Sequence, residues 1–394
     1  MTFRFVLAGV AVLALVIVEA GCRWWIRRRS RYYVWPPRTR LDTRPAPEVF
    51  PQLDPRARFD VNADGERGEK APRNATGLYR ILAVGGSAVE CFALDQSKAW
   101  PSLLERRLNE PPNLRALGAR RVHVGNVGHS GVGSAELAVI LDRILPQYRH
   151  LDAILIMVAA SDVYHWLEEG APASRPPSAV PESMLFGCHP GQRFGWKPSR
   201  WAMVEVVRRL HRAWFGRVEV RERAGAWYAT ARRMRAEAKE IRDTMPDPTV
   251  LLSHFDQHFR RLLRRATAHA DRVLIVCQPW FEKDYTAEEA AHFWHGGVGK
   301  PWKEHVSVYY SLDVINRLLA LVEARVIEVS DALAVPHLDD LRALLNGGLR
   351  HYFDHDHYTP AGAAVVASAV ASALTRGGGR GTTRTAEPVS SGTW

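Results

Sequence analysis

Cysteine is scarce in this chain. There are four in 394 residues, Cys22, Cys91, Cys188 and Cys277. They are widely spaced and form no Cys-x-x-Cys pair, which argues against a structural zinc site or a disulfide framework. Their spacing leaves the redox compartment open. Also missing is any run of lysine and arginine interleaved with aromatics on one predicted element, apart from the stretch directly after the N-terminal apolar segment. The formal charge of +11 and the pI near 9.7 suit an anionic partner. Without such a run the charge does not specify nucleic acid, and no nucleic-acid partner is expected. There is no internal repeat. What the chain does have is a hydrophobic fraction of 46%, enough to bury a core in one large domain or two ordinary ones.

One long apolar run is present, Phe5 to Val18, and it continues past Glu19 through Ala20, Gly21 and Cys22 to Trp24, Trp25 and Ile26. Its length suits one membrane-spanning helix of about 20 residues with interfacial tryptophans. Residues 1–31 are therefore expected to be a single-pass membrane anchor with a basic flank. A cleaved signal peptide is the competing reading, because the core run is short and small residues follow it. A lipoprotein anchor at Cys22 fits less well, since Glu19 stands where such sites want an aliphatic residue. Arg4 precedes the run, and Arg23, Arg27, Arg28, Arg29 and Arg31 follow it. The positive-inside rule would put the downstream domain in the cytoplasm. The alternative is that these arginines lie on lipid headgroups on either side, so the side of the membrane stays open.

Residues 32–79 are rich in proline and arginine and read as an extended connector. Within them Asp60, Asn62, Asp64 and Gly65 imitate the start of a calcium-binding loop, but Ala71 stands where the bidentate glutamate belongs. A turn between short strands is expected there. Beyond residue 80, short apolar runs alternate with helical stretches, the pattern of a parallel sheet covered on both faces. The strands are expected at Ile81 to Val84, Val122 to Val124, Ala153 to Val158, Arg272 to Cys277 and Arg325 to Val329, with a helix over Lys98 to Asn109. An insertion at about 164–250 includes the proline-rich Pro172 to Pro181. It also includes the charged run Val218 to Asp243, expected as a solvated helix, with a lid or partner-binding segment as the alternative. A helix over Ala361 to Leu374 and a disordered tail, 376–394, complete the outline.

In an open parallel sheet, ligand-binding residues collect at the carboxyl ends of the strands. Ser87 follows the first strand through Gly85 and Gly86, which permit a sharp turn. Gly128 to Gly131 follow the second, Ser161 and Asp162 the third, and Asp354 to His357 the fifth. Taken singly these are weak signals; a Gly-Gly-Ser turn is more often only a turn. Their order raises the odds. Asp354 three residues ahead of His357 suits an imidazole held at one nitrogen and free at the other. Asp356 with His355 is the competing pair.

These blocks resemble the SGNH, or GDSL-like, hydrolases. The resemblance covers roughly Arg80 to Ser134, Leu151 to Asp162, Val273 to Pro279 and Val326 to Ala371. Ile81 to Ser87 is similar to the first block of that family, Trp100-Pro101 to the helix that follows, Gly125 to Gly131 to the second block, and Asp354 and His357 with Thr359-Pro360 and Gly362 to the last. The resemblance implies a flavodoxin-like three-layer α/β/α fold with a five-stranded parallel sheet, spanning 80–375. It implies a Ser87–His357–Asp354 triad, with oxyanion donors at the amides of Ser87 and Gly131. Two departures stand out. Gly86 replaces the Asp of the family name, and Ala159-Ala160-Ser161-Asp162 replaces Gly-x-Asn-Asp, so Ser161 becomes the third oxyanion donor. Losing one such donor typically costs about 3 kcal/mol.

The implied activity is serine esterase action on small O-acyl esters, acetyl groups on a glycan foremost. The alternatives are a lipid or thioester hydrolase, if the insertion forms an apolar lid, and a non-catalytic glycan-binding or assembly protein. No metal or organic cofactor is implied. His292, His295, His305, His351, His355 and His357 lack the spacing of a helical metal site. Phe293 to Gly297 is expected either to wall the substrate cleft or to pack the insertion onto the sheet.

Overall fold

The computed structural model describes residues 2–72, 76–174, 180–191, 193–195 and 197–376. The tail expected to be disordered lies, from 377 onward, outside the described residues, as does part of Pro172 to Pro181. In chain order, α1 (Thr2–Arg29) precedes β1 (Thr39–Pro45), β2 (Ala57–Asp60), β3 (Leu78–Gly85), α2 (Trp100–Leu108), β4 (Arg121–Asn126), α3 (Ser134–Ile144), β5 (Leu151–Met157) and α4 (Ala160–Glu168). Next come α5 (Ala202–Phe215), β6 (Arg217–Ala224), α6 (Trp227–Ala236) and β7 (Glu240–Arg242). They are followed by α7 (Thr249–Thr267), β8 (Ala270–Val276), β9 (Val308–Tyr310), α8 (Leu312–Ala332), β10 (His337–Leu338) and α9 (Pro360–Arg376).

The main sheet has the order β10-β8-β5-β3-β4 and is parallel throughout, with Ile81 opposite Val124 and Ala83 opposite Leu155. Successive side chains of a strand point to opposite faces, and here both faces are apolar. Leu82, Val84, Ile154, Ile156 and Ile275 enter one core, which α3, α7 and α8 cover with residues such as Leu137, Phe259 and Leu318. Ile81, Ala83, Leu155, Met157 and Val276 enter the other, under Trp100 and Leu104 of α2 and Val366 and Val370 of α9. This is the three-layer α/β/α architecture with a five-stranded parallel sheet.

Two expectations about elements need correction. Arg325 to Val329 is not a strand. It lies in α8, whose buried Val314, Leu318, Val322, Val326 and Val329 follow helical spacing over a far longer span. The fifth strand is β10, two residues long and set by pairing to β8. The charged run 218–243 is not one helix either. Its first part, β6, alternates Arg and Glu with Val and pairs in parallel with β1, Arg40 opposite Val218, while β1 pairs antiparallel with β2. Only Trp227–Ala236 is helical, and β7 beyond it pairs with β9. The segment read as a connector therefore carries two strands. Its loop at Asn62 is a turn in which Asn62 Oδ1 accepts from the amides of Asp64 and Glu66, closing between Val61 and Arg67.

Helix α1 is long and apolar enough over Phe5–Arg29 to cross a membrane, and its most apolar window is unburied; a signal sequence has the same character. Glu19, the carboxylate in that run, accepts from the amides of Ala202 and Met203 at 2.8 and 3.0 Å and so caps the start of α5. Phe259 is fully buried where α7 meets the sheet. Truncating such a side chain typically costs about 3–5 kcal/mol. Phe259→Ala is expected to lower the unfolding free energy measured in urea by that amount, with an exposed control such as Arg264→Ala within about 0.5 kcal/mol of the native protein.

Candidate active site

Strand β3 ends at Gly85, where a Cβ would collide with the Val89 side chain and the Met157 carbonyl. Ser87 then opens a single helical turn, Ser87–Glu90, which ends in a left-handed Cys91 at φ 52°. The carbonyls of this turn are held from outside. Ala88 O accepts from Trp100 Nε1 at 3.0 Å and Val89 O from Asn126 Nδ2 at 2.7 Å. The wholly buried Arg67 donates to Glu90 O, to Cys91 O at 2.7 Å and to Leu94 O at 2.7 Å, with its plane over the Phe59 ring. Burial lowers its guanidinium to about 10, so it is a cation at neutral pH. A cation spread over three carbonyls leaves the Ser87 turn little freedom.

At the other end of the chain, Tyr352 and Tyr358 bridge the base of a loop that carries Asp354 and His357. Ser87 Oγ and His357 Nε2 share a hydrogen bond of 2.7 Å, in which Oγ donates when the imidazole is neutral, and His357 Nδ1 donates to the two Asp354 oxygens at 2.9 and 2.8 Å. Trp294 Nε1 and the amides of Asp356 and His357 also donate to Asp354. Burial opposes the charge of Asp354, but the His357 imidazolium and these donors hold the carboxyl well below its usual range. Burial likewise opposes the charge of His357; the attraction of Asp354 and then Asp356 overcomes it and raises the imidazole to about 9. Asp356 does not pair with His355, which is held between Tyr164 Oη and Asn316 Oδ1 at 2.9 Å each. It accepts from Gln278 instead, and burial pushes it up to about 7.

The Ser130–Gly131 and Ser161–Asp162 segments sit beside the serine. Glu90 accepts from the amide of Ser130 at 2.5 Å and from its hydroxyl, fixing the loop in which Gly131 takes a left-handed φ of 70°. Asp162 accepts from the amide of Ser134 at 3.0 Å and from its hydroxyl at 2.6 Å, tying α4 to the start of α3. Ser161 is half-buried, and it lines one cavity of about 370 Å³ with Ser87, Gly131 and His357. Trp227, Trp294 and Trp302, with Tyr164 and Tyr228, form the aromatic part of that wall; Trp227 and Trp294 meet edge to face at 5.0 Å. Phe293 instead packs on Phe281 and Tyr285, so the 293–297 stretch serves both wall and core.

Reading the sequence left out Trp35, Arg67, Glu90 and Tyr228. None lies in a motif of its own, and Arg67 stands in the polar run Asp64-Gly65-Glu66-Arg67-Gly68-Glu69-Lys70, which carries no local signal of burial. Of the expected histidines, His295 and His357 with Asp356 bring three ligand-type atoms within 4.8 Å of one another. His357 Nδ1 is already committed to Asp354. His150, Asp152 and Asp271 form a second such group among the described residues, at the surface.

No family model matches the chain, and no curated protein sequence does. Similar solved structures include the acetylxylan esterase Axe2 of Geobacillus stearothermophilus, at 12% identity over 74% of this chain and 92% of that one, TM-score 0.40. A carbohydrate acetylesterase family member of Sinorhizobium meliloti is similar at 13%, over 76% and 98%, TM-score 0.38. A lipolytic G-D-S-L family protein of Veillonella parvula is similar at 9%, over 76% and 99%, TM-score 0.40. With scores this low, the case for any chemistry rests on the residues themselves.

Ala159, at the start of α4, has φ 139° and ψ −54°, a region that costs a side-chain-bearing residue on the order of 1–3 kcal/mol. Ala159→Gly is expected to stabilise the protein by about 1 kcal/mol after the entropic cost of glycine. A melting temperature below that of the native protein would contradict the strain.

Proposed function

We propose that this protein is an ester hydrolase of the SGNH type, with residues 80–375 as its hydrolase unit. The observation that carries the reading is the unbroken hydrogen-bond chain from Ser87 Oγ through His357 to Asp354. In this reading neutral His357 takes the Ser87 proton as Oγ attacks an ester carbonyl, and Asp354 holds the imidazole in place and stabilises its charged form. The amides of Ser87 and Gly131, with the Ser161 hydroxyl, receive the oxyanion. His357 then protonates the leaving alcohol, and water releases the acyl group by the same route.

Several observations give the reading its finer features. The tryptophan wall of the 370 Å³ cavity suits a sugar face, which favours an acylated glycan on the alcohol side. The apolar α1 favours a membrane-anchored enzyme. Both belong to the proposal.

With its imidazole raised to about 9, His357 is mostly protonated at neutral pH, so kcat/KM is expected to climb with pH along a limb near 9. The same shift contributes stability that is complete below about 6.5 and is lost as pH rises through about 9. The first experiment is p-nitrophenyl ester hydrolysis by the full chain in lipid nanodiscs, beside Ser87→Ala and Asp354→Asn. Ser87→Ala is expected to be inactive, and Asp354→Asn slower by about 10⁴ with its limb moved to lower pH. Equal hydrolysis by Ser87→Ala and the native protein would sink the reading.

A further inference from the structure

Ser87 and His357 also border a second cavity, of about 280 Å³, which Gly131 and Ser161 do not line. Its walls are aromatic and aliphatic, with Trp35, Phe50, Phe92, Leu94, Tyr228 and Phe353 prominent among them. Beyond the reacting pair, its charged groups are already engaged. Glu90 accepts from the amide and hydroxyl of Ser130. Arg221 Nε donates to Glu219 at 2.9 Å, and its guanidinium lies over the Phe92 ring at 5.4 Å. What the cavity offers a ligand is hydrocarbon. Its extent matters as well. A water-sized group occupies about 30 Å³ in a liquid, so an acetyl methyl would leave most of this space empty.

We propose that this cavity is the acyl site and that the natural substrate carries a medium-length acyl chain, about six to ten carbons. This rests on the ester-hydrolase reading of Ser87 and His357. Oγ bonds to the acyl carbon as the bond from that carbon to the alcohol oxygen breaks, and the Ser87 proton reaches the alcohol through His357. The chain then lies between Phe50 and Phe92 until water releases it as a carboxylic acid. The walls come from outside the five-stranded sheet: Trp35 and Phe50 precede β3, Arg221 is on β6 and Tyr228 is on α6. The pairing of β1 with β6 therefore completes the acyl site, whose remaining walls, Phe92, Leu94 and Phe353, follow the Ser87 turn or belong to the His357 loop.

The test is a series of p-nitrophenyl esters from two to sixteen carbons, assayed with the full chain in nanodiscs to avoid alkyl detergents. Each buried methylene is expected to raise kcat/KM about two- to fourfold, to a maximum between six and ten carbons and at least tenfold above acetate. Ala93, in the cavity wall, supplies the blocking variant; Ala93→Phe is expected to lower the octanoate-to-acetate ratio at least tenfold. A maximum at acetate overturns the acyl assignment and leaves the hydrolase reading standing. Calorimetry of octanoate against Ser87→Ala protein, with empty nanodiscs as blank, reads the cavity without turnover. Saturable one-to-one binding weakened by Ala93→Phe supports the assignment, and no saturable binding overturns it. Failure of the native protein on every ester would count against the hydrolase reading alone.

Discussion

A carboxylate sealed from water must be satisfied by its neighbours or it costs several kcal/mol, and Asp354, with none of its surface exposed, imposes that constraint here. Its donors come from two stretches: the 352–358 loop supplies two amides and an imidazole, and the 293–297 stretch supplies Trp294. A third element holds the two together. Arg232 of α6 donates to His292 O at 3.0 Å, to Phe353 O at 2.9 Å and to Val49 O at 2.8 Å. Segments remote in sequence thus converge to keep one anion dry and bonded.

The same economy governs the serine side. Trp100, Asn126 and Arg67 donate to the successive carbonyls of Ala88, Val89 and Glu90 in the Ser87 turn, and Glu90 from that turn reaches back to Ser130. The Ser87 turn and the Ser130–Gly131 loop are therefore one hydrogen-bonded unit. It is built largely from backbone groups that the strained turn leaves without partners of their own.

Legibility from sequence followed locality. β3, β4, β5 and β8 each announce themselves in a run of aliphatic residues, and Ser87, Asp354 and His357 stand in short spaced motifs. The window 325–329 has strand composition but belongs to a helix whose spacing shows only over some twenty residues. β10 owes its two residues to pairing alone. β6 alternates in a way that charge disguised, and nothing near it in sequence points to β1. Trp35, Arg67 and Tyr228 matter because of what they approach in space. Local spacing favours Asp354 with His357 over Asp356 with His355; the partners that occupy His355, Tyr164 and Asn316, lie far away in the chain.

The pairing of Arg40 with Val218 and of Thr39 with Arg217 has a consequence for synthesis. Chains lengthen at about 5–20 residues per second, so β1 waits roughly ten to forty seconds after leaving the ribosome before its parallel partner exists. Over that interval the strand can close only on β2, its near neighbour, and offers an open edge. Strand β1 is thus among the first segments translated yet has no parallel partner until residues 217–224 have been made, and a nascent chain stalled before residue 217 would carry an unprotected strand.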